Sequence, residues 1–262
     1  MMKDYWTWDL AELDWCDEDP DKDDEGLAIS ELLPIFLEEL MCGQPVFMPD
    51  RVYCVGVNYR SFAAAAGLEI PEKPTAILRP TTAIDYHGED IIVPEDFATE
   101  DVDYEAHLAV VIRHDCKNVS PEDAMDQVFG ILAATHVVLR SSPGESFDGC
   151  CTLGPVIVNA NALQDEDWGN IQIEGELNGE IVQRGFVRDM AFSIPQLIST
   201  LSRRSTLKAG TIILTGQVVS DATPAGTGWY REPRRMLKDG DKFRVWVSHG
   251  VGSLVNTIRF EE

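Results

Sequence analysis

The chain has 262 residues, of which 45 are acidic and 21 basic, so its formal charge at pH 7 is −24. With 44% hydrophobic residues, this length is sufficient for one large domain with a proper core. So acidic a protein would repel a phosphate backbone, which argues strongly against nucleic-acid binding. No apolar run approaches the roughly 18 residues of a membrane span, so we expect no membrane association.

The cysteines and the N-terminus indicate the compartment. None of the six cysteines has C-x-x-C spacing, and Cys150 and Cys151 are adjacent, as expected for free thiols in a reducing environment. The N-terminal residues lack the apolar core of a signal peptide. We therefore expect a cytoplasmic protein.

Acidic residues are concentrated near the N-terminus. Residues 9–25 hold ten acidic side chains and one lysine, which predicts a solvated acidic arm. Apolar residues at helical spacing follow over 27–40, and Gly43 is a plausible end of that helix. We expect residues 1–49 to form this arm plus helix and residues 50–262 to form the main domain.

The main domain is predicted to be rich in β-strands. Strands are expected at 51–57, 75–78, 90–94, 104–114, 129–139, 210–216, 242–249 and 253–260, with a hairpin over 171–185 that turns at Asn178-Gly179. Short helices are expected at 61–67, 121–128 and 194–204. Because strands and helices do not alternate regularly, the pattern favours a mixed, β-rich α/β fold over a doubly wound sheet.

One group of polar residues lies within the apolar strands. Glu105 and His107 are two residues apart and therefore share one face of a strand, and His136 lies in the middle of a second strand. One carboxylate and two imidazoles suit Fe(II), Zn(II), Mn(II) or Co(II), and in composition they match the facial triad of non-haem iron sites. The alternative is that both histidines are hydrogen-bonded core residues.

Seven segments in this order resemble the fumarylacetoacetate hydrolase (FAH) family: 52–62, 102–112, 129–140, 146–158, 176–183, 209–216 and 237–247. The resemblance implies a β-sandwich-like roll with short flanking helices, a homodimer, and a catalytic domain that holds a divalent metal, usually Mg or Mn. It also implies small 2-oxo acid, acylpyruvate or 1,3-dicarbonyl substrates. Family members hydrolyse C–C bonds, decarboxylate, isomerise or hydrate such compounds.

The resemblance also implies a metal site with altered ligands. The family's Glu-x-Glu pair falls on Glu105 and His107, and its third ligand, usually Asp, falls on His136 with the following arginine retained as Arg140. Replacing carboxylate oxygens by imidazole moves metal preference from Mg toward Fe, Co, Ni or Zn. Because both replaced ligands are histidine, which also binds metals, the substitutions indicate that the site still coordinates a metal but prefers a different one.

The family's acid–base residues are replaced. The position of the catalytic histidine is occupied by Phe62, that of its partner glutamate by Ala65, and that of the catalytic lysine by Glu145. A hydrolytic water would therefore lack its usual activator, which argues against ordinary C–C hydrolysis and oxaloacetate decarboxylation. The segment before Glu145 is shortened, and the Thr-Gly-Thr-Pro loop is interrupted before Thr223.

Four residues remain as candidates for contacting substrate. Arg140 pairs either with a substrate carboxylate or with a buried acid of the fold. Glu145 is either a proton acceptor or a solvated loop residue. The resemblance assigns Tyr59 and Thr223 to substrate binding.

Three hypotheses on function follow. The first is a metal-dependent enzyme of a specialised pathway that acts on a 2-oxo acid or 1,3-dicarbonyl as lyase, hydrolase, decarboxylase, keto–enol isomerase or cyclase. The second is a catalytically inactive relative that binds a ligand or partner. The third is an oxygen-activating Fe(II) enzyme with the two-His-one-Glu set. The two histidines favour the first hypothesis, and the three lost catalytic residues favour the second.

Overall fold

The computed structural model describes residues 49–97, 101–219 and 228–261. The expected acidic arm and its helix, and Thr223, lie outside these ranges. The described strands are β1 (Val52–Val55), β2 (Ala76–Arg79), β3 (Ile84–Tyr86), β4 (Asp90–Val93), β5 (Val102–Ile112), β6 (Val128–Leu139), β7 (Cys151–Leu153), β8 (Val158–Asn159), β9 (Gln172–Leu177), β10 (Glu180–Phe186), β11 (Ile212–Leu214), β12 (Lys242–Val247) and β13 (Gly252–Phe260). The α-helices are α1 (Arg60–Ala66) and α2 (Ile194–Arg204).

The strands form two sheets. The first has eight strands in the order β2-β1-β11-β5-β6-β7-β3, with β8 paired to β6, and the second has five in the order β10-β9-β12-β13-β4. Most neighbours are antiparallel, while β1–β11, β3–β7 and β13–β4 are parallel. This mixed, β-rich α/β architecture confirms the predicted fold class.

The long strands β5 and β6 form the centre of the core. All eleven residues of β5 are buried, because the second sheet packs on one face and the first sheet curls over the other. Tyr104 faces the second sheet, where its ring centroid lies 4.9 Å from that of Phe243. Since side chains alternate along a strand, Glu105 and His107 point to the opposite face. The apolar run, which is interrupted by Asp103, Glu105 and His107, is thus a doubly buried strand.

Both helices lie within one residue of their predicted bounds. Helix α1 ends at Ala66 and is capped by Gly67, whose left-handed φ of 65° is readily adopted by glycine. Helix α2 begins with a capping box between Ser193 and Gln196 and buries Leu197 on its inner side. No α-helix of the described residues has the length and apolar character needed to cross a membrane.

The predicted hairpin is present, with Asn178 and Gly179 at φ 53° and 84° between β9 and β10. Two adjacent residues with positive φ are required by the type I′ turn that joins such strands.

The predicted helix over 121–128 is wrong. Ser120 caps a turn by accepting a hydrogen bond from the backbone N–H of Asp123 at 3.3 Å. However, Val128 already pairs with Ile112 at the start of β6. The residues between Ser120 and Val128 therefore form only the short 3-10 turn Met125–Gln127.

Candidate metal centre

The three predicted ligands meet on the inner face of the first sheet. Glu105 lies directly opposite His136 in the β5–β6 register, and His107 follows two residues along β5. One carboxylate oxygen of Glu105, Oε2, lies 3.1 Å from His107 Nε2 and 2.9 Å from His136 Nδ1. One donor atom from each residue lies within 4.8 Å of the other two. The structure therefore brings together the ligand set that the sequence predicts.

The charges of this cluster suit a cation. Burial alone would raise the pKa of Glu105, but the charge of Arg140 and hydrogen bonds from His107 and His136 hold that pKa well below its usual value. Glu105 is therefore ionised at neutral pH. Burial lowers the pKa of His136, so its imidazole is neutral, which is the form that binds a metal.

Arg140 connects the cluster to a second buried carboxylate. Its Nε donates to Asp103 at 2.7 Å and its Nη1 lies 2.8 Å from Glu105 Oε1, while a further nitrogen donates to Gln217 at 3.2 Å. Of the two roles considered for Arg140, these contacts correspond to pairing with buried acids. One guanidinium against two carboxylates leaves this group with a net charge of −1.

The donor spacing agrees with metal coordination. Donors at right angles on an ion with bonds of about 2.1 Å lie about 3.0 Å apart. The two separations from Glu105 Oε2, 3.1 and 2.9 Å, are close to that value, and the donor atoms of the two histidines lie within 4.8 Å of each other. All three side chains are at least nine-tenths buried. The carboxylate and the two imidazoles thus fit a divalent transition metal.

A cavity of about 170 Å³ opens beside Glu105 and His136. It is smaller than the roughly 300–1,000 Å³ of sites for drug-sized ligands, so it suits a small metabolite. Part of its wall is apolar: Phe62 lies where the family's histidine is expected, and its ring stacks edge-on to Tyr230 with centroids 5.5 Å apart. The side chain at this position therefore excludes water instead of activating it.

Arg79 is a cavity residue that sequence reasoning missed. It is 3% exposed, and its guanidinium donates to the carbonyl oxygens of residues 143, 144 and 145 at 2.8, 3.0 and 2.6 Å. Its Nε has no hydrogen-bond partner, and no carboxylate of the described residues forms an ion pair with it. Its signal in the sequence is a charged residue directly after the predicted strand 75–78. Arg79 is thus a buried cation at a cavity wall.

The other predicted site residues lie elsewhere. Tyr59 is fully buried and its hydroxyl hydrogen-bonds Thr215 at 3.1 Å, outside the cavity lining. Burial raises the pKa of Tyr59. Glu145 is exposed and does not line the cavity either, although its backbone carbonyl binds Arg79.

Comparison with known proteins connects this geometry to a family. Residues 51–259 match the family profile described as fumarylacetoacetate (FAA) hydrolase C-terminal. The chain is 36% identical to oxaloacetate tautomerase YisK of Bacillus subtilis over 233 residues, which cover 85% of this chain and 74% of YisK. It is 31% identical to the mitochondrial oxaloacetate tautomerase FAHD2A of Homo sapiens over 242 residues, covering 88% and 74% of the two chains.

A solved structure supports the same assignment. Maleylpyruvate hydrolase from Sphingobium sp. SYK-6, in complex with manganese(II) ion and pyruvate, superposes with a TM-score of 0.68 at 27% identity, covering 84% of this chain and 74% of the hydrolase. The profile match spans most of the chain, and these relatives are enzymes. The chain therefore belongs to the fumarylacetoacetate hydrolase family of enzymes.

Proposed function

We propose that this protein is a metal-dependent keto–enol tautomerase of a small carboxylate-bearing 2-oxo acid or 1,3-dicarbonyl. The observation that carries the proposal is the convergence of His107 and His136 on one oxygen of an ionised, buried Glu105 beside a small cavity. The two curated relatives described above are named as oxaloacetate tautomerases. This supports the isomerase alternative among the possible family reactions.

Glu105, His107 and His136 would hold the divalent ion. Carboxylate and imidazole donors suit Fe, Zn, Mn or Co better than Mg. When bound, the ion supplies Lewis acidity that polarises a carbonyl of the substrate. Arg140 keeps Glu105 ionised and oriented through its contact at 2.8 Å.

Arg79 would anchor the carboxylate of the substrate. Arg140 already contacts Asp103 and Glu105, whereas Arg79 has no carboxylate partner among the described residues. Its unpartnered Nε, together with a neighbouring nitrogen of the guanidinium, would bind a carboxylate side-on. Arg79 also donates a hydrogen bond to the backbone carbonyl of Glu145, the position at which the family resemblance places a lysine. It thereby supplies a cation that the lost lysine no longer provides.

The apolar wall favours tautomerisation over hydrolysis. Phe62 is 1% exposed and packs on Tyr230, so the position of the family's histidine offers water no general base. Keto–enol conversion needs only the movement of a proton between carbon and oxygen, without an added water. Tyr230 lines the cavity with its ring 5.4 Å from the guanidinium of Arg140, and its hydroxyl would hold or move this proton.

The test follows the conversion of enol to keto oxaloacetate by ultraviolet absorbance, with Mn(II), Fe(II), Co(II) or Zn(II) added to the purified protein. We expect metal-dependent acceleration over the buffer rate, and no hydrolysis of an acylpyruvate. Arg79→Gln should raise KM more than it lowers kcat, because it removes a carboxylate contact. Arg113→Gln is the matched control, since Arg113 binds Val128 and Asn161 outside the cavity. The proposal fails if no metal accelerates the reaction.

The donor set also favours a second candidate. Two histidines and one carboxylate are the ligands of Fe(II) enzymes that activate oxygen. Oxygen consumption with Fe(II) and a 1,3-diketone, abolished in Glu105→Gln, would support this candidate. No oxygen consumption above that of free Fe(II) would eliminate it.

A further inference from the structure

A second group of donor atoms adjoins His136. Cys54, Cys151 and His136 are each less than one-tenth exposed, and a ring nitrogen and the two thiol sulfurs lie within 4.8 Å of one another. We propose that these three residues form a separate site for a soft metal ion, Zn(II) or Cu(I), distinct from the Glu105–His107–His136 centre. Thiolate and imidazole are the donors that such ions prefer.

The curl of the first sheet assembles this cluster. Cys151 lies directly opposite His136 in the β6–β7 register, so their side chains share one face. Cys54 belongs to β1, which is separated from β7 by three intervening strands in the sheet order. The short separation of the two sulfurs therefore arises from the curvature of the sheet. Donors from three strands thus meet in the interior.

The hydrogen bonds of His136 leave one nitrogen available. Nδ1 of His136 lies 2.9 Å from Glu105 Oε2, which leaves Nε2 as the second ring nitrogen. This Nε2 is buried and has no hydrogen-bond partner among the described residues. A metal-bound histidine commonly donates its other N–H to a carboxylate in this way. The Glu105–His136 pair therefore has the arrangement expected around a metal on Nε2.

The thiols are suited to exchange protons for a metal. Cys151 is fully buried and Cys54 is 6% exposed, so both sulfurs are shielded from water. A soft metal that binds there would stabilise the thiolates and release the thiol protons. Cys54 borders the cavity, which provides access for the ion and space for a small fourth ligand.

The two sites share His136 and are expected to compete. A metal at the Glu105 centre would bind Nδ1, the nitrogen 2.9 Å from Glu105 Oε2, and leave the proton on Nε2. A metal at the sulfur site would bind Nε2 and leave the proton on Nδ1. Occupancy of one site therefore disfavours the other. A soft metal bound to His136 at the sulfur site would prevent a harder ion from binding at the Glu105 centre, because that centre needs the same histidine.

Co(II) added under anaerobic, reducing conditions tests the sulfur site, since thiolate coordination to Co(II) gives an intense near-ultraviolet charge-transfer band. We expect this band in the wild-type protein and in His107→Ala, which changes only the other centre. It should be lost in Cys54→Ser and Cys151→Ser and retained in Cys116→Ser, a buried cysteine that pairs with Leu207 instead. A band that survives in the Cys54→Ser/Cys151→Ser double variant, or is absent from the wild type, overturns the proposal.

X-ray absorption of the Zn(II)-loaded wild type covers the case in which a cysteine variant does not fold. Two sulfur neighbours around zinc are expected, and a shell of nitrogen and oxygen alone overturns the proposal. The tautomerase assay with Mn(II) does not depend on this outcome. Failure of the sulfur site and failure of the proposed function are therefore distinguishable.

Discussion

Replacing Arg140 by methionine should strongly destabilise the fold at neutral pH. The Arg140 side chain is 8% exposed and contacts Asp103, which is fully buried, and Glu105, which is 10% exposed. Methionine keeps most of the volume but removes the guanidinium that contacts both carboxylates. Removing one partner of a buried ion pair costs about 3–5 kcal/mol, and we expect a loss in this range from the free energy of unfolding.

The loss should depend on pH in a defined direction. In the wild type the pKa of Glu105 is lower in the folded than in the unfolded state. The ionised side chain therefore contributes to the free energy of unfolding above its unfolded pKa of about 4.3. This contribution is lost as the pH falls through the pKa of the folded state. Protonation of Glu105 at low pH removes the negative charge that Arg140 offsets. The difference between wild type and Arg140→Met should therefore be largest at pH 6–8 and shrink below about pH 4.

Urea unfolding followed by circular dichroism, with chelator present so that no ion replaces the lost charge, measures this difference. Arg259→Met is the control, because Arg259 and Asp90 pair at 3.4 Å with about half of each side chain exposed. Such a pair contributes about 0–1 kcal/mol. A loss below about 1 kcal/mol for Arg140→Met, or a loss that does not shrink in acid, would refute this account of the buried charges.

Three further substitutions test packing and chemistry. Gly130→Ala should lower the free energy of unfolding by about 1–3 kcal/mol, because the new Cβ would lie 2.4 Å from the Val158 carbonyl oxygen. Gly144→Ala is the control and should be nearly neutral, since nothing lies within 4 Å of its Cβ. Equal urea midpoints for the two variants would contradict this. Asn58→Ala should lower the melting temperature, because the Asn58 side chain makes three hydrogen bonds of 2.7–3.2 Å to backbone groups. Each backbone group left without its partner destabilises the fold by about 1–3 kcal/mol. Tyr230→Phe should lower kcat of the proposed tautomerase with little change in melting temperature, and an unchanged kcat would exclude its role in proton movement.

The central strands and the candidate ligands could be predicted from the sequence, because the patterns that indicate them lie within short stretches of the chain. Alternation places Glu105 and His107 on one face of any strand. A polar residue within an apolar run, such as His136, needs a buried partner, and the antiparallel register places it opposite Glu105. The hairpin turn and helix α1 likewise depend on glycines whose backbone conformation is set by nearest neighbours.

Features that depend on the curl of the sheet could not be inferred from the sequence. Arg79 becomes a cavity residue only because edge strand β2 carries it to the loop at residues 143–146. Cys54 and Cys151 are far apart in the sequence and on non-adjacent strands, so no spacing rule connects them. The strands β3, β7 and β8 have three residues or fewer and lack a readable period.

The most direct test of the metal centre is a Mn(II) titration followed by electron paramagnetic resonance, in which the signal of free Mn(II) decreases as the ion binds. We predict one Mn(II) per wild-type chain, loss of binding in both Glu105→Gln and His107→Ala, and retained binding in Cys116→Ser. Wild-type protein that leaves all added Mn(II) free, or a His107→Ala variant that binds as tightly as the wild type, would contradict the assignment of Glu105, His107 and His136 as ligands.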